Sequence, residues 1–206
     1  MTKPAVSATS APDTLRADIL ARSRDFFRAA GPQPFVPGKT QIPASGKVLT
    51  EDDLANLVDA SLDMWLTGGR YTTAFEQALA KTTHTNFARM TVSGSAANLL
   101  ALTALTSQRQ RGRLVAGDEV LTVAAGFPTT VAPIVQNGCV PVFVDIDLAT
   151  HNVDVARLAE AVSPKTRAIM IAHSLGNPFN LKAVTEIAKA HDLFLIEDCC
   201  DALGAR

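Results

Sequence analysis

The chain has 206 residues, enough for one large domain with a substantial core. Hydrophobic residues make up 47% and charged residues 19%, which excludes a disordered chain; a net charge of -1 offers no basic surface to nucleic acid or an anionic membrane. The three cysteines, two of them adjacent, make no secreted-type disulfide framework.

The N-terminus lacks a positive region followed by an apolar run, and no apolar stretch is long enough to span a bilayer. The expected compartment is therefore the reducing cytoplasm. Residues 1–12 are rich in Ala, Ser, Thr and Pro and predict a loose terminus. From Pro12 to about Ala30, Leu15, Ile19, Leu20, Phe26 and Phe27 form an approximate helical stripe. Residues 31–47 carry four prolines and three glycines and predict an extended arm. Thr50 then stands as an N-cap with Asp53 three residues on, and Leu54, Leu57, Val58, Leu62 and Trp65 share one helical face. Thr67-Gly68-Gly69-Arg70 breaks that helix; Arg70 could bind an anion or simply be solvated.

From Phe87 the pattern becomes regular. Strands are predicted at 87–95, 117–125, 140–147, 166–174 and 193–201, and helices at 96–107, 128–138, 153–163 and 181–192. Asn137-Gly138 has the form of a helix C-cap. Apolar strands alternating with helices predict an α/β, three-layer fold with a mostly parallel sheet. The expected division is an N-terminal helix and arm over 1–45 and the sheet domain over 46–206. In such sheets ligands bind outside the carboxyl ends of the strands. Ser93-Gly94-Ser95, Gly126-Phe127, His173-Ser174 and Asp198 lie at those ends.

Each of these positions has a functional and a structural reading. Ser93-Gly94-Ser95-Ala96 at a strand–helix turn can offer free N–H groups to a phosphate, or a serine can merely cap the helix. Phe127 can lie against a heteroaromatic ring or fill core space. Asp198 ends an apolar strand, where a carboxylate needs a cation or strong donors. A protonated ring nitrogen or a magnesium ion would serve. Glu197 points to the opposite face by alternation. Asp201 either turns back toward Asp198 or stays on the surface. Cys199 and Cys200 have no third ligand at a zinc-like spacing and are expected as small buried residues in a tight turn. Phosphate cradle, aromatic and acid, in that order on successive strand tips, suit a phosphorylated pyridine ring.

With those residues in hand, the chain from Gly46 to Arg206 resembles the DegT/DnrJ/EryC1/StrS sugar aminotransferase family, fold-type I pyridoxal-phosphate proteins. The stretches that carry the resemblance are SGSAANLLALTAL, GDEV, PVFVDID, VSPKTRAIMIAHSLGNP and LIEDCCDALGA. Within it, SGSAANLLALTALTS, VAAGFPTTVAPIVQNG and IEDCCDALG are similar to the CDP-4-keto-6-deoxyglucose 3-dehydrase branch. The resemblance implies the N-terminal part of the family's large domain, incomplete at its C-terminus. It implies that Gly94, Ser95 and Ala96 cradle the cofactor phosphate, Phe127 stacks on the pyridine ring, and Asp198 pairs with its nitrogen. Asp201 falls where sugar aminotransferases usually carry Gln or His near the ring hydroxyl, which favours dehydration over amino transfer.

The implied reaction is pyridoxamine-phosphate-dependent loss of the C3 hydroxyl from a nucleotide-linked 4-keto-6-deoxyhexose, in lipopolysaccharide or dideoxysugar biosynthesis. The implied partners are a second copy of the chain and a flavin/iron–sulfur reductase, and full-length relatives also carry a [2Fe-2S] cluster. The family's proton-transfer residue (His in dehydrases, the Schiff-base Lys in aminotransferases) and the cluster cysteines are expected beyond Arg206. Lys165, Lys182 and Lys189 do not stand in the context of a Schiff-base lysine. The chain by itself is therefore expected to be inactive. The alternatives are a nucleotide-sugar aminotransferase and a non-catalytic remnant.

Overall fold

Thr50 opens a helix as its sequence predicts. Its Oγ accepts the Asp53 N–H at 3.3 Å, and the Asp53 carboxylate accepts the Thr50 N–H at 2.7 Å, a reciprocal cap. The computed structural model describes residues 11–32, 34–43 and 46–205, so the loose terminus expected over 1–12 lies outside the described residues up to residue 10, while Ala11 and Pro12 already open a helix. The chain divides into two units, one through Arg89 and one from Met90.

The first unit contains α1 (Ala11–Ala30), α2 (Glu51–Leu62) and α3 (Arg70–Thr82). The arm between α1 and α2 has no helix or strand among its described residues. α2 stops short of the predicted face. Asp63 caps it, Met64 takes a left-handed φ of 51°, and Trp65 leaves the helix to donate its Nε1–H to the Gly68 carbonyl at 2.9 Å. Leu57 is 68% exposed, so the five-residue stripe does not act as one buried face. α3 was not foreseen, because the Gly68-Gly69 pair masks the four-residue recurrence of Tyr71, Phe75 and Leu79 that follows it.

Arg70 is exposed, but its guanidinium is engaged by two carboxylates rather than free to bind an anion. Its Nε donates to Asp63 Oδ2 at 2.8 Å and its Nη2 to Asp59 Oδ2, while the Tyr71 hydroxyl also donates to Asp59 Oδ2 at 2.7 Å. Arg16 on α1 donates to Asp59 Oδ1 and to Asp63 Oδ1, both at 2.5 Å. These donors, Arg70 foremost, hold both carboxyls below the usual carboxylate range.

The predicted strand at 87–95 does not form. Residues 87–92 lie outside any ladder, with Phe87 80% and Val92 97% exposed. A strand needs a neighbour to take its N–H and C=O groups, and none among the described residues pairs with it. The remaining alternation holds. α4 (Gly94–Leu105), β1 (Glu119–Val123), α5 (Pro128–Gln136), β2 (Val140–Val144), α6 (Val155–Glu160), β3 (Thr166–Ala172), α7 (Leu181–Ala190) and β4 (Phe194–Asp198) follow in order. Gly138 ends α5 at φ 72°, a value that favours glycine, as the Asn-Gly pair predicts.

The four strands are all parallel, in the order β2-β1-β3-β4. Side-chain alternation sends Leu121, Ile169, Ile171 and Leu195 to a core with Leu158 of α6 and Val184 of α7. Val120, Ala168, Met170, Phe194 and Ile196 face Leu102 of α4 and Ile134 of α5. Both faces are covered, which gives the expected three layers. Because β2 and β3 lie on opposite sides of β1, the order reverses there. The carboxyl ends at such a switch point open a crevice.

Candidate active site

The crevice is lined by Gly94, Ser95, Asn98, Phe127, Thr129, Ala172, His173, Asp198, Cys200 and Asp201, around a volume of about 300 Å³. That is at the small end of ligand sites. Five of the six residues singled out from sequence therefore share one cavity: Gly94, Ser95, Phe127, Asp198 and Asp201.

The sixth, Ala96, stands apart. Ser93 caps α4 by accepting the Ala96 N–H on its Oγ at 3.1 Å, so the capping reading and the cradle reading divide the turn between them. Gly94 and Ser95, the first two residues of the helix, have N–H groups with no carbonyl one turn back to meet. Those groups and the helix dipole make this end of the cavity suited to an anion. Phe127 precedes α5 and is 69% exposed, so it fills no core; its ring stands at the cavity instead.

Asp198, in the same lining, ends β4 on the face toward α4 and α5. Its Oδ2 accepts the Asn98 amide N–H and the Thr130 hydroxyl, each at 2.8 Å. Its Oδ1 accepts the Cys200 N–H at 3.1 Å. No cation forms an ion pair with it among the described residues. A half-buried carboxylate so arranged has neutral donors on both oxygens and no cationic partner among the described residues.

Glu197 points the other way, as alternation requires, and meets His173 at 3.1 Å. His173 Nδ1 accepts the Phe179 N–H at 3.2 Å, which leaves the ring proton on Nε2 to be donated to Glu197. The ring also stacks on Phe179 at 4.0 Å. Cys199 Sγ joins this pair to give three possible metal ligands within 4.8 Å of one another, a grouping that cysteine spacing did not reveal. With Nε2 protonated, however, that nitrogen has no lone pair for an ion. Both Cys199 and Cys200 are exposed rather than buried. The turn after β4 carries them to the surface, and Cys200 lines the cavity.

The turn bearing Asp201 is set by its neighbour. Gly176 has φ 81°, and a Cβ there would lie 2.7 Å from the Asp201 carbonyl oxygen. Only glycine permits that approach. Asn98 and Thr130 received no role from sequence. Asn98 is the one amide in the otherwise apolar run Ala96–Leu102, and that isolation was the available signal. Thr130 gave none, since a buried threonine in a helix commonly satisfies itself.

No helix among the described residues is long and apolar enough to cross a membrane. The model of the DegT/DnrJ/EryC1/StrS aminotransferase family matches residues 48–206. The lipopolysaccharide biosynthesis protein RfbH of Salmonella typhimurium is 56% identical over 177 residues, 85% of this chain and 40% of that protein. The dTDP-4-dehydro-2,6-dideoxy-D-glucose 3-dehydratase of Saccharopolyspora spinosa is 50% identical over 91% of this chain and 41% of its own length. A crystal structure of GDP-4-keto-6-deoxymannose-3-dehydratase with a trapped PLP-glutamate geminal diamine superposes with a TM-score of 0.75 at 35% identity, over 81% of this chain and 43% of that one. The chain thus spans about 40% of the length of the curated relatives it matches. With the parallel sheet and its strand-end cavity, these matches lead to one conclusion: the chain belongs to the DegT/DnrJ/EryC1/StrS aminotransferase family.

Proposed function

We propose that the cavity receives pyridoxamine or pyridoxal 5′-phosphate and serves removal of the C3 hydroxyl from a nucleotide-linked 4-keto-6-deoxyhexose. One observation carries the reading. A carboxylate with no cationic partner among the described residues, a helix start with free N–H groups and an exposed aromatic ring share one cavity. Gly94 and Ser95 hold the phosphate, Phe127 covers a ring face, Asp198 pairs with the ring nitrogen, and Asp201 stands toward the ring hydroxyl. When bound, the cofactor supplies an amine for the sugar ketone and a cationic ring that takes up electrons. Asp198 keeps that ring protonated, and the Phe127 side excludes water.

The dehydrase reading is preferred to amino transfer because Asp201 lines the cavity where sugar aminotransferases usually carry Gln or His. His173, the one imidazole there, has both nitrogens engaged by Phe179 and Glu197. We therefore hold the chain alone to be the binding half of the site, without turnover. Mixing it with pyridoxamine phosphate and the nucleotide sugar tests this; loss of the C3 hydroxyl, seen by mass spectrometry, refutes it. The nucleotide is taken as CDP, the choice of the resembling branch, whereas two similar 3-dehydratases are named for dTDP- and GDP-linked sugars; competition among the three ranks them. A second copy of the chain and a flavin/iron–sulfur reductase complete the proposed assembly.

Cofactor binding is the direct test. Titration with pyridoxamine phosphate is expected to saturate, and Asp198→Asn to weaken it about 10- to 100-fold, the worth of a hydrogen bond between charged groups. Equal affinity in the variant would remove Asp198 from the ring.

A further inference from the structure

We infer that Asn98 and Thr130 are positioning residues that reserve Asp198 for a cationic ring nitrogen. The inference rests on the cofactor reading above and adds what makes the carboxylate selective. Both side chains are more than nine-tenths buried, Asn98 at 8% and Thr130 at 2% exposure. Both donate to the same oxygen, Oδ2, while the Cys200 N–H takes one site on Oδ1. Two donors converging on one oxygen and a third on the other fix the carboxylate plane and leave Oδ1 an open acceptor position.

The donors are also neutral. A lysine or arginine in either place would stabilise the carboxylate equally well but would cancel the charge that the ring must meet. Asn98 is fixed in turn, because its amide also donates to the Thr129 carbonyl at 3.2 Å. One side chain thereby ties α4, the start of α5 and the tip of β4 together. The Asp198 carbonyl accepts the His173 N–H at 3.1 Å, so the backbone beneath the carboxylate is held as well.

The test compares two ligands that differ at one atom: pyridoxamine phosphate and its 1-deaza analogue, with C–H in place of the ring nitrogen. The unaltered full chain is expected to prefer the nitrogen ligand. Thr130→Val, nearly isosteric but without the hydroxyl, is expected to reduce that preference about tenfold, and Thr130→Ser to retain it. Asn98→Leu is expected to act in the same direction; if it fails to fold by circular dichroism, the Thr130 pair decides. A structural role alone weakens both ligands equally and leaves their ratio unchanged, and that result overturns the inference. A preference in Thr130→Val equal to that of the unaltered chain also overturns it while sparing the Asp198 reading. An unaltered chain that binds both ligands alike, or neither, sinks the Asp198 reading and this inference with it.

Discussion

The two units are held by different forces. In the sheet unit Leu121, Leu158, Ile169, Ile171 and Val184 have no exposed surface, and each such side chain contributes about 1.5–3 kcal/mol by burial. In the helical unit α1 and α3 have no buried residue and α2 has only Ala55. There α1 meets α2 through guanidinium–carboxylate contacts: Arg16 to Asp59 and Asp63, Arg24 to Asp52 at 3.0 Å, and Arg28 to Glu51 at 2.5 Å. Exposed pairs of this kind give direction more than free energy. The candidate cavity lies in the unit whose core is packed.

The largest effect expected from breaking this contrast is in the sheet. Ile169→Ala opens space at a fully buried position and should cost about 2–5 kcal/mol, read from the urea midpoint. A cost below 1 kcal/mol would mean the sheet core is looser than its burial implies. Gly176→Ala should come next, at about 1–2 kcal/mol for a side chain in the left-handed region. The same change pushes the Asp201 turn outward, so cofactor affinity should fall with stability; an unchanged thermal midpoint would contradict the close approach.

The smallest effect concerns the ion pairs, and it sharpens the comparison. In 1 M salt the screening length falls to about 3 Å, so amide protection in α1 should drop while that of β3 holds. Acid acts in the same place. The carboxyls of Asp59 and Asp63 are depressed in the folded chain, so their contribution is present above the ordinary carboxylate range. It is lost as pH falls from about 4 toward their lowered folded values. Hydrogen exchange at α1 that ignores both salt and acid would show that the pairs do not hold it.

Legibility followed the same division. The order β1-α5-β2-α6-β3-α7-β4 was readable because apolar strands buried on both faces leave short unbroken runs between amphipathic helices. The run at 87–92 looks the same as those strands locally, yet no neighbour among the described residues takes its backbone groups. α3 was hidden by its glycines, and Trp65 was placed on a helix that had already ended at Leu62. Asp198 was legible because a carboxylate closing Phe194-Leu195-Ile196 is out of place there unless something answers it. What answers it on the protein side, Asn98 and Thr130, stands 100 and 68 residues away in sequence.

By itself the sequence determined the strand–helix alternation from β1 onward, roughly where those four strands end and the identity of the acid at the last one. These depend on local periodicity and on the free-energy cost of burying charge. Only the tertiary structure decided that the tips of β1, β3 and β4 and the start of α4 line a common space, that Ala96 turns its N–H to Ser93, and that Asp198 keeps an open acceptor position on Oδ1. Those facts depend on strand order and on donors brought from distant segments, which no local pattern encodes.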